Sequence, residues 1–124
     1  MCETNCAAIL SALERVRAPA QPGEYDLHAL IAAALFCAGI PCAHEYRLAP
    51  RCRIDFLCAG VGIEVKKGRP PRAALEKQIA RYLASPEISA LIVVAQRAVS
   101  LPGVIGGKRV HVLSLNRLWG VALP

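Results

Sequence analysis

The chain has 124 residues, 55% of them apolar and 19% charged, and carries a formal net charge of +6 at neutral pH. That is enough for one domain with a real core, too apolar for a disordered segment and too short for two domains. No charge-free apolar run reaches the ~20 residues that span a bilayer, and Met1-Cys2-Glu3-Thr4 lacks the basic start of a secretory signal. A cytoplasmic chain with no membrane partner is therefore the expectation.

Six cysteines, at positions 2, 6, 37, 42, 52 and 58, include no Cys-x-x-Cys, and the three histidines do not fall at finger spacing. No structural zinc is expected. The cysteines read as small buried hydrophobes of a reducing compartment, with Cys2 and Cys6 the most open to reaction.

Residues 4–17 are predicted helical, with Ile9, Leu13 and Val16 at i, i+4, i+7 spacing. The breaker-rich stretch Ala18-Pro19-Ala20-Gln21-Pro22-Gly23 ends that helix. Residues 1–22 therefore read as an added helix and linker, and 23–124 as the main domain. A second helix is expected from Glu24 to Ala38, with apolar Leu27, Ile31 and Leu35 on one stripe and Gly39 closing it. Glu24 is aligned with that stripe one turn earlier. His28 reads as a surface or packing residue.

Residues 42–48 alternate as an antiparallel strand, with Glu45 facing solvent. Two further strands, 53–58 and 61–65, flank Ala59-Gly60 as a tight hairpin. Glu64 and Lys66 then share one strand face while Ile63 and Val65 share the other. The hairpin returns Asp55 toward the Glu64–Lys66 end, placing two carboxylates and one ammonium on what is expected to be the exposed face. Carboxylates that close are costly without a cation, and an all-oxygen set favours Mg²⁺ or Mn²⁺ over zinc.

A helix over residues 72–83 follows Pro70-Pro71, with Leu75, Gln78, Ile79 and Tyr82 on one face. Gln78 is polar on an apolar stripe and needs a partner. Residues 88–95 are continuously apolar, as in a strand buried on both faces. A loop through Gly103 and Gly106-Gly107 leads to a last strand, 109–115, and a short helix, 116–120. Between Arg47 and Arg81 stand nine basic residues against three acidic ones, two of which are Asp55 and Glu64. A basic field around a small acidic centre suits a polyanion approaching a metal.

Ile54-Asp55, eight residues, then Glu64-Val65-Lys66 resembles the PD-(D/E)XK nuclease superfamily, with isoleucine in place of the usual proline. The resemblance covers residues 24–115. It implies an α/β fold with a restriction-endonuclease-like core, a mixed β-sheet flanked by helices in the order α-βββ-α-ββ, here with an extra amino-terminal helix. It also implies a Mg²⁺-dependent nuclease, with Mn²⁺ as substitute, yielding 5′-phosphate and 3′-hydroxyl ends.

In that reading Asp55 and Glu64 hold the metal, with the Val65 carbonyl as a third ligand and Glu24 acting through water. Lys66 positions the attacking water, and Gln78 with Tyr82 resembles the polar element of the following helix. Lys67, Arg69, Arg72, Lys77, Arg81 and Tyr82 are the expected nucleic-acid contacts. DNA is the expected substrate and a homodimer the expected assembly, as in small Holliday-junction resolvases of the superfamily. The alternatives are a catalytically silent nucleic-acid-binding module, a subunit of a larger restriction, repair or recombination assembly, and a metal-free basic protein in which Lys66 pairs with both carboxylates.

Overall fold

The structure is a computed structural model that describes residues 2–16 and 24–115, with side chains described from residue 6 in the first segment and residue 27 in the second. The expected linker 18–23 and closing helix 116–120 lie outside the described residues. The elements in order are α1 (Cys2–Leu13), α2 (Glu24–Cys37), β1 (Ala43–Ala49), β2 (Cys52–Cys58), β3 (Val61–Lys66), α3 (Arg72–Leu83), β4 (Ala90–Ala95), β5 (Val104–Ile105) and β6 (Lys108–Ser114). Among the described residues no helix is long and apolar enough to cross a membrane.

The strands form one mixed sheet in the order β1-β2-β3-β4-β6-β5. The first three make an antiparallel meander, β3 pairs β4 and β4 pairs β6 in parallel, and β5 turns back antiparallel on β6. The protein is thus α/β, as expected. The stretch read as a loop before the last strand instead contains β5, because Gly106 and Gly107 both adopt left-handed φ and close a hairpin onto Lys108.

Period-3.6 and period-2 patterns meet in two apolar layers. Ile9, Leu13 and Val16 join Leu27, Ile31 and Leu35 over Phe56, Cys58, Val61, Ile63 and Val65. On the opposite face Leu75, Ile79 and Tyr82 of α3 pack on Cys52, Ile54, Leu91 and Val93. The α1 stripe is therefore built into the same core as α2. β4, central and flanked by parallel neighbours, is buried at every position, which is why its sequence shows no alternation.

The cysteines depart from expectation. β1 opposes Ala43 to Leu57, so the next pair outward brings Cys42 to Cys58, and the two form a disulfide with Cα atoms 4.4 Å apart. Cys6 is buried and Cys37 exposed, so Cys37 is the accessible thiol where Cys6 was expected. The side chain of Cys2 lies outside the described residues.

Candidate metal centre and basic groove

The β2–β3 ladder runs from Cys58–Val61 to Phe56–Ile63. Beyond it the two strands are joined by a side chain: the Val65 amide donates to Asp55 Oδ2 at 2.7 Å. Regular alternation also fails here. Ile54 packs on the α3 side of the sheet and Phe56 on the α2 side, although a strand sends residues two apart to one face. The facing strand does the same, since Tyr46 packs with the α3 layer while His44 lies against Phe56. Between them Glu45 adopts φ +54°, a conformation uncommon outside glycine. Asp55 and Glu45 thus stand where the hairpin switches faces.

Glu64 and Lys66 do share a face, as expected, and Lys66 Nζ lies 3.2 Å from Glu64 Oε2. That face is not open: Glu64 is 4% exposed, because α3 and its Tyr82 ring cover it. Burial first, then the Asp55 carboxylate, push the Glu64 carboxyl up to about 7, while Lys66 and the Tyr82 hydroxyl pull it down. Glu64 Oε1 is buried without a hydrogen-bond partner among the described residues. A buried carboxyl whose proton affinity a second carboxylate raises, with one oxygen orphaned, is a donor set that a hard dication would satisfy. α2 lies on the opposite face of the sheet from Glu64. Glu24 opens that helix, and its side chain lies outside the described residues.

Gln78 finds the partner its position required. Its Nε2 donates to Tyr82 Oη at 3.0 Å, and the Tyr82 hydroxyl donates to the Arg53 carbonyl at 3.2 Å. Tyr82 is consequently buried, with its phenol pushed up by burial and by Glu64. The ring expected as a nucleic-acid contact is taken by the apolar α3 layer and is 3% exposed, at the edge of a small hollow beside Arg53 and Arg81.

The basic residues do form a groove. A depression of about 500 Å³ is lined by Lys66, Lys77, Gln78 and Arg81 with Pro70, Ala74 and Leu75. A smaller one, about 80 Å³, continues it past Gln78 and Arg81 to Arg51 and Arg53. Arg69 and Arg72 border a third hollow that shares Pro70 and Leu75. Lys67 is exposed beside them. Two arginines are partly committed: Arg72 Nε pairs with Glu76 at 2.8 Å, and Arg81 Nη2 donates to the Arg51 carbonyl at 2.9 Å. Both groups remain at the surface.

Several residues of this region escape a reading of the sequence. Arg51 and Arg53 enter the groove from β2 and its preceding turn. Gln96, buried at the end of β4, accepts from the Gly68 amide at 3.3 Å while its own amide donates to the Lys66 carbonyl at 2.9 Å, fixing the chain after Lys66. His28, His44 and Glu45 form a separate group near the switch point. The basic run between Arg47 and Arg81 pointed to the two arginines, and only the polar interruption of an apolar pattern hinted at the others. Known protein families, characterised proteins and solved structures include none that the chain matches.

Proposed function

We propose that this protein is a metal-dependent nuclease that hydrolyses phosphodiester bonds, with DNA as substrate, on a core of the restriction-endonuclease type. The observation that carries the reading is the buried Glu64, near Asp55 and with one oxygen unsatisfied, paired with Lys66, which itself lines the basic groove. The element order from α2 through β4, with an antiparallel meander and a parallel crossover strand, supports the same reading.

Asp55 and Glu64 would hold Mg²⁺, or Mn²⁺ in its place, with the Val65 carbonyl and Glu24 as further candidates. When bound, the ion supplies Lewis acidity and neutralises negative charge at the scissile phosphate. Lys66 is a poor base while protonated, so its part is to orient the attacking water and hold positive charge beside the phosphate. The Gln78–Tyr82 pair keeps α3 seated over Glu64. Lys67, Arg69, Arg72, Lys77 and Arg81 take the nucleic-acid backbone, and a homodimer would give a small domain enough surface to grip a duplex. The ends produced would be 5′-phosphate and 3′-hydroxyl.

One observation favours a second reading. Lys66 already neutralises Glu64, and Asp55 is engaged by the Val65 amide. The groove would then serve a binding module, alone or in a larger restriction, repair or recombination assembly, that does not cut. A labelled panel of duplex, single strand, nicked plasmid, flap and four-way junction, with Mg²⁺, Mn²⁺ or EDTA, separates the two. Cutting that requires metal and disappears in both Asp55→Ala and Lys66→Ala is the expected result. Binding without cutting on every substrate selects the second reading, and neither binding nor cutting removes both.

A further inference from the structure

We infer that His28, His44 and Glu45 form a binding site for a transition-metal dication of the Zn²⁺ type, with a ligand set distinct from the Asp55–Glu64 carboxylates. One ligand atom from each residue lies within 4.8 Å of the other two. His28 Nδ1 and His44 Nε2 face each other at 2.9 Å. Two nitrogens at ordinary zinc distances on a tetrahedral ion stand about 3.3 Å apart, so a modest opening of this pair admits the metal.

Three features prepare the group. Neighbouring residues of a strand point to opposite faces, yet the left-handed φ of Glu45 brings its carboxylate into the same cluster as His44. The buried Phe56 ring braces both imidazoles, with centroids 4.7 Å from His44 and 5.6 Å from His28. Behind the pair, Asp55 Oδ2 lies 3.6 Å from His28 Nε2. A carboxylate behind a metal-binding histidine orients the ring and raises its basicity. Asp55 here is a positioning residue.

The donor chemistry decides the class of ion. Two imidazoles and one carboxylate suit Zn²⁺ and its neighbours, whereas Mg²⁺ and Ca²⁺ prefer oxygen alone. With neutral imidazoles, the charges of Glu45 and Asp55 balance a dication. His44 and Glu45 are exposed, which gives the ion an entry path and leaves its fourth position to water. The bound ion would clamp α2 to β1, and the site does not depend on the nuclease reading.

The test is a Co²⁺ titration of the untagged, metal-stripped full chain in excess Mg²⁺, read by visible absorption and by competition with Zn²⁺. One equivalent should bind with the bands of a nitrogen–oxygen site, be displaced by Zn²⁺, and raise Tm. His44→Ala, an exposed change that leaves the core intact, should abolish binding, and Glu45→Gln should weaken it. Asp55→Asn should keep the stoichiometry and lose about 10- to 100-fold in affinity. Cys37→Ser should change nothing. Absence of binding, or binding of unchanged affinity in His44→Ala, overturns the site, whatever the cleavage panel returns.

Discussion

Glu64 holds a titratable group where charge is opposed by burial and by a second carboxylate, and only Lys66 and Tyr82 ease it. Its folded pKa of about 7 lies above the ordinary value of 4.5. A raised carboxyl favours the folded state below the unfolded pKa, and that contribution disappears as pH rises through the folded one. The metal-free protein should therefore lose on the order of 3 kcal/mol between about pH 4.5 and pH 7 from this group. Denaturant titrations across that window check it, and Glu64→Gln should flatten the profile and leave the neutral-pH protein more stable than wild type. Above pH 7, Mg²⁺ should raise Tm in wild type but not in Glu64→Gln. Convergence of Asp55, Glu64 and Lys66 was legible from hairpin spacing and strand parity. The burial of Glu64 was not, because α3 reaches that face from later in the chain. Tyr82, by contrast, was legible on the apolar stripe of α3 with Leu75 and Ile79, and its ring is taken into that layer.

At the scale of elements, helical stripes and the fully apolar β4 were legible because each repeats one period over several turns or residues. The face switch at Glu45 and Asp55 was not. The only mark in residues 42–48 is the adjacent polar pair His44-Glu45, and neither glycine nor asparagine signals the left-handed φ at Glu45. The β2–β3 turn carries a related cost. Ala59 and Gly60 both have positive φ, as a type I′ turn requires, and Ala59 lacks the freedom for it. Ala59→Asn should stabilise the fold by about 0.5–1 kcal/mol, measured as a higher denaturant midpoint with an unchanged slope. An unchanged midpoint would mean the turn is already relieved elsewhere. Gly62 is the opposite case: a Cβ there would meet Ile54 Cδ1 at 2.5 Å and Ile88 Cδ1 at 2.9 Å. Gly62→Ala should cost about 1–3 kcal/mol in the same assay through overpacking.

For the whole molecule, the Cys42–Cys58 bridge and the groove make separable demands. The bridge spans a sequence separation of 16, and closing a loop of that size restricts the unfolded chain by about 3 kcal/mol. Reduction, or Cys42→Ser, should lower the denaturant midpoint accordingly. It was invisible in the spacing because only the β1–β2 register brings the two residues together. On the proposed reading the groove serves binding alone: Lys77→Ala should weaken all nucleic acids alike and reduce the salt slope by about one, with cleavage chemistry at saturation retained.

The single carboxylate that joins β2 to β3 past their last backbone pair has a consequence for how the fold can be watched. Val65 donates its amide proton to Asp55, an ionisable acceptor, where a regular ladder would supply a carbonyl. In an NMR spectrum that one proton should shift when Asp55 gains a proton, engages an ion or turns toward His28, while the amides of β4 stay still. It is a resident gauge, built into the chain, of whichever demand on Asp55 prevails.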